Sequence, residues 1–189
     1  MSENKINLRR VGIFTQQSEQ QIYDFLQKWF VPHGIEMSWL EEGFKSKDAL
    51  DLVISFGGDG TVLAALSLFP QCPVLAVNFG NVGFLTAGDR EELADMLKRV
   101  LDGNFIISER SVLKCEHAHG VDYAVNEIVI RGATRLIAVE LSINDQHIRR
   151  VRGDGVIIGT ATGSTAYLLA AGSPIVMPEL RCMIITGLN

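Results

Sequence analysis

The chain has 189 residues, 47% of them hydrophobic and 21% charged, enough apolar material for one or two packed domains and too much for a disordered chain. Seventeen Lys and Arg against twenty-two Asp and Glu leave a formal charge of −5, which argues against a broad electrostatic footprint for nucleic acid or an anionic membrane, so an anionic ligand needs local donors. Cys72, Cys115 and Cys182 lie far apart with no C-x-x-C spacing, so neither a disulfide framework nor a zinc knuckle is expected and a reducing compartment fits.

The opening stretch, MSENKINLRR, has no apolar run of signal-peptide length, so a cytoplasmic location is expected. Residues 60–88 and 155–178 carry no charge, yet prolines, glycines and hydroxyl residues interrupt both. Neither resembles a membrane span of about 20 predominantly apolar residues.

As far as Gly103, short apolar runs alternate with helical patterns, the mark of βαβ units. Residues 11–15 (VGIFT) read as a buried strand, and residues 19–30 then place Ile22, Phe25, Leu26 and Trp29 on one helical face, closed by Pro32 and Gly34. Residues 35–40 form a second predicted strand. Residues 51–56 (DLVISF) form a third, which runs straight into Gly57-Gly58-Asp59-Gly60-Thr61 and a predicted helix over VLAALSLF. Pro70 and Pro73 end that helix before residues 74–78 (VLAVN), a further parallel strand, and residues 79–86 make a second loop of special geometry. Residues 89–101, with Leu93, Met96, Leu97 and Val100 on one face, are the next helix, ended by Gly103. Beyond residue 104 the texture changes to short β-branched runs: FIISE, SVLKCEH, YAVNEIVI, LIAVELSI, HIRRV and GVIIGT. The expected organisation is an α/β domain over residues 1–103 and a mainly β domain over residues 104–189.

The strongest local signal is Gly57-Gly58-Asp59-Gly60-Thr61, between a buried strand and a helix. Glycines let phosphates approach main-chain N–H groups, and the helix N-terminus favours their charge, so Gly57, Gly58, Gly60 and Thr61 are a candidate phosphate loop. Asp59 is the unusual member. A carboxylate in a phosphate cradle repels phosphate, and makes sense there if it holds a magnesium ion or takes a proton from an attacking hydroxyl. The plainer alternative is a tight turn with Asp59 as helix cap. The dinucleotide fingerprint G-x-G-x-x-G fails, because Leu63 stands at its last glycine, and the phosphate-loop pattern of the NTPases fails for want of a lysine.

Three later segments are unusual for a β domain. Asn126-Glu127 places two polar groups inside an apolar run, where they need partners such as sugar hydroxyls. Arg152-Gly153-Asp154-Gly155, after Arg149 and Arg150, brings a cation and an anion into one turn. Thr162-Gly163-Ser164-Thr165-Ala166-Tyr167 offers three hydroxyls and an aromatic face, an inventory for bonding a purine edge and covering its ring. Taken singly, each also fits a strand-end turn, a surface salt bridge, or a helix start with a core tyrosine. His117 and His119 share a metal only in the weaker of two readings, the stronger being a solvated strand end. Cys72 and Cys182 read as core residues.

At these motifs the chain resembles the NAD kinases: FGGDGTVL at 56–63, NFGNVGFLT at 78–86, NE at 126–127 and GDGVIIGTATGSTAYLLAAGSPI at 153–175 occur in that family's order. The glycine-aspartate loop alone marks only the wider superfamily with phosphofructokinases and diacylglycerol or sphingosine kinases, while TGSTAY is far more specific. The resemblance implies a Rossmann-like N-terminal domain with a parallel sheet, and transfer of the γ-phosphoryl group of ATP, with Mg2+, to the 2′-hydroxyl of the adenosine ribose of NAD. It implies that Asp59 is catalytic at that hydroxyl and that Gly60 borders it. Asn126 and Glu127 are then expected to bind ribose, Arg152 and Asp154 to line the pocket, and Thr165, Ala166 and Tyr167 to contact the nucleotide. Ile137 and Ala170 fall where the family also approaches NAD. A homo-oligomer, dimer or tetramer, is implied as well.

The chain also departs from the family. T-P-T-G-S-T-A-Y and S-A-G-G-P-I are common there, whereas this chain has Thr160-Ala161-Thr162 and Ala170-Ala171-Gly172-Ser173-Pro174-Ile175. Ala161 is expected to loosen a turn, Ala170 to lose a hydroxyl contact, and Ser173 to put a Cβ where glycine adopts positive φ, each at the expense of affinity. Family members generally continue well past this point, so the mainly β domain is expected to be incomplete at its C-terminus. The alternative to a working kinase is a chain that binds nucleotide, or serves as an assembly subunit, without turnover. A lipid kinase of the same superfamily leaves Asn126-Glu127 and TGSTAY unexplained.

Overall fold

A computed structural model describes residues 6–15, 20–40, 49–80 and 83–188. The chain divides into two compact units, Met1–Ile107 and Ser108–Asn189.

In the first unit, β1 (Arg10–Thr15), β2 (Glu36–Leu40), β3 (Leu52–Phe56), β4 (Val74–Asn78) and the short β5 (Gly88–Asp89) make one sheet in the order β2-β1-β3-β4-β5, parallel throughout. All five residues of the central β3 are buried, which is why its sequence is a nearly unbroken apolar run. Side chains alternate between the two faces. On one, Val11, Ile13, Ile54 and Phe56 pack with Ile22, Leu26 and Phe30 of α1 (Gln20–Phe30) and Leu93, Leu97 and Val100 of α3 (Leu93–Leu101). On the other, Phe14, Leu40 and Val53 meet Ala65 of α2 (Asp59–Leu68). This is the α/β parallel-sheet architecture expected. Helix α2 begins three residues before the predicted VLAALSLF, because Gly58 caps it in an extended conformation and its carbonyl accepts the N–H groups of Thr61 and Val62. The predicted helix over 89–101 starts as a 3-10 turn, Arg90–Glu92, closed by a capping box between Asp89 and Glu92. Glu19, Asn81 and Val82, which fell in a predicted helix and loop, lie outside the described residues.

The second unit is antiparallel. Strands β6 (Leu113–His117) and β7 (Gly120–Ala124) form one hairpin, and β9 (Ile137–Ile143) and β10 (Gln146–Gly153) another. The second turns on Asn144 and Asp145, both at positive φ, as two-residue hairpin turns require. Strands β8 (Glu127–Arg131), β11 (Gly155–Thr160) and β12 (Met183–Leu188) form a three-stranded sheet with β11 in the middle. A 3-10 turn, Thr162–Thr165, and the one-turn helix α4 (Tyr167–Ala170) follow β11.

Several expectations are corrected. FIISE forms no strand: Ile106 and Ile107 are exposed and no strand among the described residues pairs with them, and an extended segment needs a partner for its N–H and C=O groups. Residues 152–155 are not a compact turn but the junction where the chain leaves the β9–β10 hairpin and enters the β8–β11–β12 sheet. Cys182 is exposed, not core, since it precedes an edge strand whose first residue, Met183, is exposed as well. Among the described residues no helix is long and apolar enough to cross a membrane.

Candidate functional site

The glycine-aspartate turn is built by backbone bonds and forbidden side chains. Gly57, at φ +153, donates its N–H to Val77 O at 3.0 Å. A Cβ there would lie 2.3 Å from Thr61 Oγ1, so the position admits glycine alone. At Gly58 and Gly60 the opposite holds: a Cβ would meet nothing within 4 Å. Among the described residues the space at these two positions is open, and N–H groups at the start of a helix, which have no partner within it, can receive an anion.

Asp59 is the first residue of α2 and not its cap, a place Gly58 takes. Its Oδ2 accepts the Phe84 N–H and its Oδ1 the Leu85 N–H, each at 3.0 Å. The second glycine loop thus closes on the carboxylate. Gly83 makes the approach possible, because a Cβ there would stand 2.1 Å from Asp59 Oδ1. That loop opens with the buried Asn78, whose side chain donates to Gly80 O at 3.0 Å and accepts the Gly80 N–H at 3.2 Å. Asp59 is thereby fixed in position while each oxygen keeps capacity for a further donor. Such a group can orient a hydroxyl and take its hydrogen.

In the second unit, Asn126 and Glu127 sit where β7 gives way to β8. Asn126 O accepts the Thr160 N–H at 2.9 Å, and a Cβ at Gly163 would be 2.2 Å from that same oxygen. The Thr162–Thr165 turn therefore lies directly on the Asn126 backbone. Burial pushes the Glu127 carboxyl above its ordinary 4.5, and the Tyr167 backbone N–H that faces it draws it part of the way back. Glu127 Oε2 is buried with no hydrogen-bond partner, and so is Thr162 Oγ1. Orphaned buried acceptors of this kind are costly unless a ligand supplies the missing donor.

The other hydroxyls of TGSTAY are engaged internally. Ser164 Oγ donates to Val176 O at 3.2 Å and accepts the Val176 N–H at 3.0 Å, and Thr165 Oγ1 donates to Thr162 O at 3.4 Å. Thr165 and Ala166 are half-buried, while Tyr167 and Ala170 are exposed, so the tyrosine ring is presented outward. Thr162, whose hydroxyl is the unpartnered one, entered the sequence reading only as one of the three hydroxyls of this run and was given no role of its own. Nothing distinguishes it from Ser164 or Thr165 until the partners of all three are known.

Ile137, Arg152 and Asp154 gather elsewhere. Ile137 pairs with Gly153, and the exposed Arg152 with Ala138. Asp154 is exposed, its N–H bonded to Leu188 O at 2.7 Å and its carbonyl to the Gly132 N–H at 3.0 Å. Gly155 pairs with Arg131 and Gly159 with Glu127, so these residues lie at the opposite end of β11 from Glu127, about 13 Å along the strand at roughly 3.3 Å per residue. His117 Nε2 lies 2.9 Å from Asp122 Oδ2, and its Nδ1 accepts the His119 N–H at 3.3 Å. Among the described residues no three His, Cys, Asp or Glu side chains converge to hold a metal ion.

A parallel α/β unit that delivers an aspartate through a glycine turn is followed in this chain by an antiparallel unit with an orphaned glutamate beside a tyrosine-bearing turn, and this order of units is that of a two-domain kinase family. Residues 11–105 match the ATP-NAD kinase N-terminal domain and residues 125–189 the ATP-NAD kinase C-terminal domain, and the chain belongs to the NAD kinase family. It is 38% identical over 148 residues to the NAD kinase of Methanothermobacter thermautotrophicus, covering 76% of this chain and 52% of that protein. It is 34% identical over 182 residues to the NAD kinase of Caldicellulosiruptor saccharolyticus, covering 93% of this chain and 70% of the other. Among solved structures, an NAD kinase from Archaeoglobus fulgidus in complex with ATP superposes with a TM-score of 0.80 at 27% identity, covering 95% of this chain and 72% of that one. The chain thus spans about half the length of one of these relatives and about 70% of the others.

Proposed function

We propose that this chain carries the working parts of an NAD kinase: it moves the γ-phosphoryl group of ATP, brought in with Mg2+, to the 2′-hydroxyl of the adenosine ribose of NAD, giving NADP. The observation that carries this reading is Asp59, a carboxylate fixed by two backbone N–H groups beside an open helix N-terminus. Such a residue makes sense in a phosphate cradle if it orients an attacking hydroxyl there or helps to hold the magnesium ion that comes with ATP. Phosphoryl transfer runs through a loose transition state, so positioning and charge neutralisation supply most of the acceleration. Asp59 need not be a strong base: it directs the hydroxyl and takes its proton as the new P–O bond forms. Gly57, Gly58, Gly60 and Thr61 cradle phosphate. Asn126, Glu127, Thr165, Ala166 and Tyr167 hold the dinucleotide, with Glu127 Oε2 and Thr162 Oγ1 as acceptors for sugar hydroxyls. Mg2+ enters as part of the MgATP substrate.

The homo-oligomer belongs to the same reading. Ile137, Arg152 and Asp154 lie at the far end of β11 from Glu127, and a second copy offers a route for them to reach a shared pocket. A cytoplasmic location is part of the same proposal. The decisive experiment incubates the chain with NAD, ATP and Mg2+ and reads product with an NADP-specific dehydrogenase. Asp59→Asn is expected to retain NAD binding and lose roughly 10²–10⁴-fold in turnover; unchanged turnover removes Asp59 from the chemistry. Calorimetric binding of NAD with no product formed would favour the non-catalytic alternative.

A further inference from the structure

The one-turn helix α4 carries Tyr167 and Ala170, and it is held at both ends by serine hydroxyls. Before it, Ser164 Oγ is bonded to both the N–H and the carbonyl of Val176. After it, the chain closes in a Schellman motif: the Gly172 N–H donates to Leu169 O and the Ser173 N–H to Leu168 O, each at 3.0 Å, with Gly172 at φ +83. The residue that follows the left-handed glycine in such a motif commonly makes an apolar contact. In this chain it is Ser173, buried, and its hydroxyl bonds the hydroxyl of Thr186 on β12.

The register shows what this bond spans. Thr186 pairs with Ile157, and Gly159, two residues further along β11, pairs with Glu127, so Thr186, Ile157, Gly159 and Glu127 share one face of the sheet. The segment from Thr162 to Ser173 crosses that face. At the β8 side the Tyr167 N–H faces the Glu127 carboxylate. In the middle Leu168 packs on Gly159, where a Cβ would lie 2.3 Å from Leu168 Cδ1. At the β12 side stands the Ser173–Thr186 bond.

We propose that the Ser173–Thr186 hydroxyl pair is a positioning device, which fixes α4 across the sheet and so sets the Tyr167 backbone and ring for nucleotide binding. Ser173 touches no substrate in this account; it acts through α4. The inference rests on the reading of Tyr167 and Glu127 as part of an NAD site, but the geometry of the clamp does not depend on it. Ser173 occupies a place where the family pattern has glycine, which offers no hydroxyl to β12.

The test uses the full chain in four forms: wild type, Ser173→Gly, Thr186→Val and the conservative Ser173→Thr. In the ligand-free protein, the Tyr167 amide resonance and its hydrogen-exchange rate report on α4 directly. NAD affinity by calorimetry and the kcat and KM for NAD report on the consequence. Ser173→Gly and Thr186→Val are expected to shift the Tyr167 amide, speed its exchange and weaken NAD binding roughly five- to tenfold, the size of one lost hydrogen bond. The change should appear in KM with kcat little altered, and the double variant should be no weaker than either single one. Ser173→Thr should restore the wild-type values. An unmoved Tyr167 amide in Ser173→Gly, or affinity losses that add in the double variant, overturns the proposal. A shifted amide in a protein whose wild type binds no NAD would instead sink the NAD-site reading and leave the clamp standing.

Discussion

Both oxygens of Asp59 are engaged by backbone N–H groups of the second glycine loop, and this keeps the carboxylate in one place. Glu127 is the contrasting acid, with one oxygen facing a backbone donor and the other buried without a partner. Because burial raises its folded pKa above 4.5, the folded chain holds the proton more readily than the unfolded one. The associated stability is complete below the unfolded value and is lost as pH rises through the folded value. Replacing Glu127 by Gln removes that dependence. The unfolding temperature of Glu127→Gln relative to wild type is expected to climb as the pH rises above about 4.5, as thermal melts across a pH series will check; a gap that stays flat would mean that the buried carboxyl carries no penalty.

At the scale of elements, the family departures have physical outcomes that differ from their appearance in the sequence. Ala161 precedes the Thr162–Thr165 turn at φ −58 and ψ −37, close to the φ of about −65° that proline imposes. Thr160 before it ends a strand, as the residue before a proline prefers. Ala161→Pro is therefore expected to stabilise the second unit by about 0.4–1 kcal/mol through the unfolded state, measurable by denaturant titration. Ser173 was expected to strain a position that needs positive φ. The positive φ falls instead at Gly172, while Ser173 lies outside that region and finds a partner in Thr186.

At the scale of the whole molecule, the two buried clusters that stabilise the parallel sheet are drawn from residues of the first unit alone. Leu97 is fully buried on α3 within the larger of them. Leu97→Ala is expected to cost about 2–5 kcal/mol and to shift the amide resonances of β1, β3 and β4 while leaving those of β8 and β11 where they are. Two-dimensional amide spectra of the variant give the answer, and broad shifts in β11 would show that the units do not hold their cores separately.

The α/β alternation, the strand-turn-helix passage into Asp59 and the family itself were legible in the sequence, because each is written in short range: apolar periodicity, glycine spacing and motifs of a few residues. The fate of particular groups was not. FIISE has the composition of a strand and no strand among the described residues to pair with, Cys182 has a core residue's surroundings in sequence and an edge strand's in space, and the three hydroxyls of TGSTAY look alike until Val176 and the Thr162 carbonyl take two of them. Only the tertiary structure decided that Gly83 lets a second loop close on Asp59 and that Arg152 and Asp154 stand a strand's length from Glu127. The reason is physical: local preferences are set by each residue's own backbone and nearest neighbours, whereas a hydrogen-bond partner or a close approach is contributed by residues tens of positions away that the chain meets only once folded.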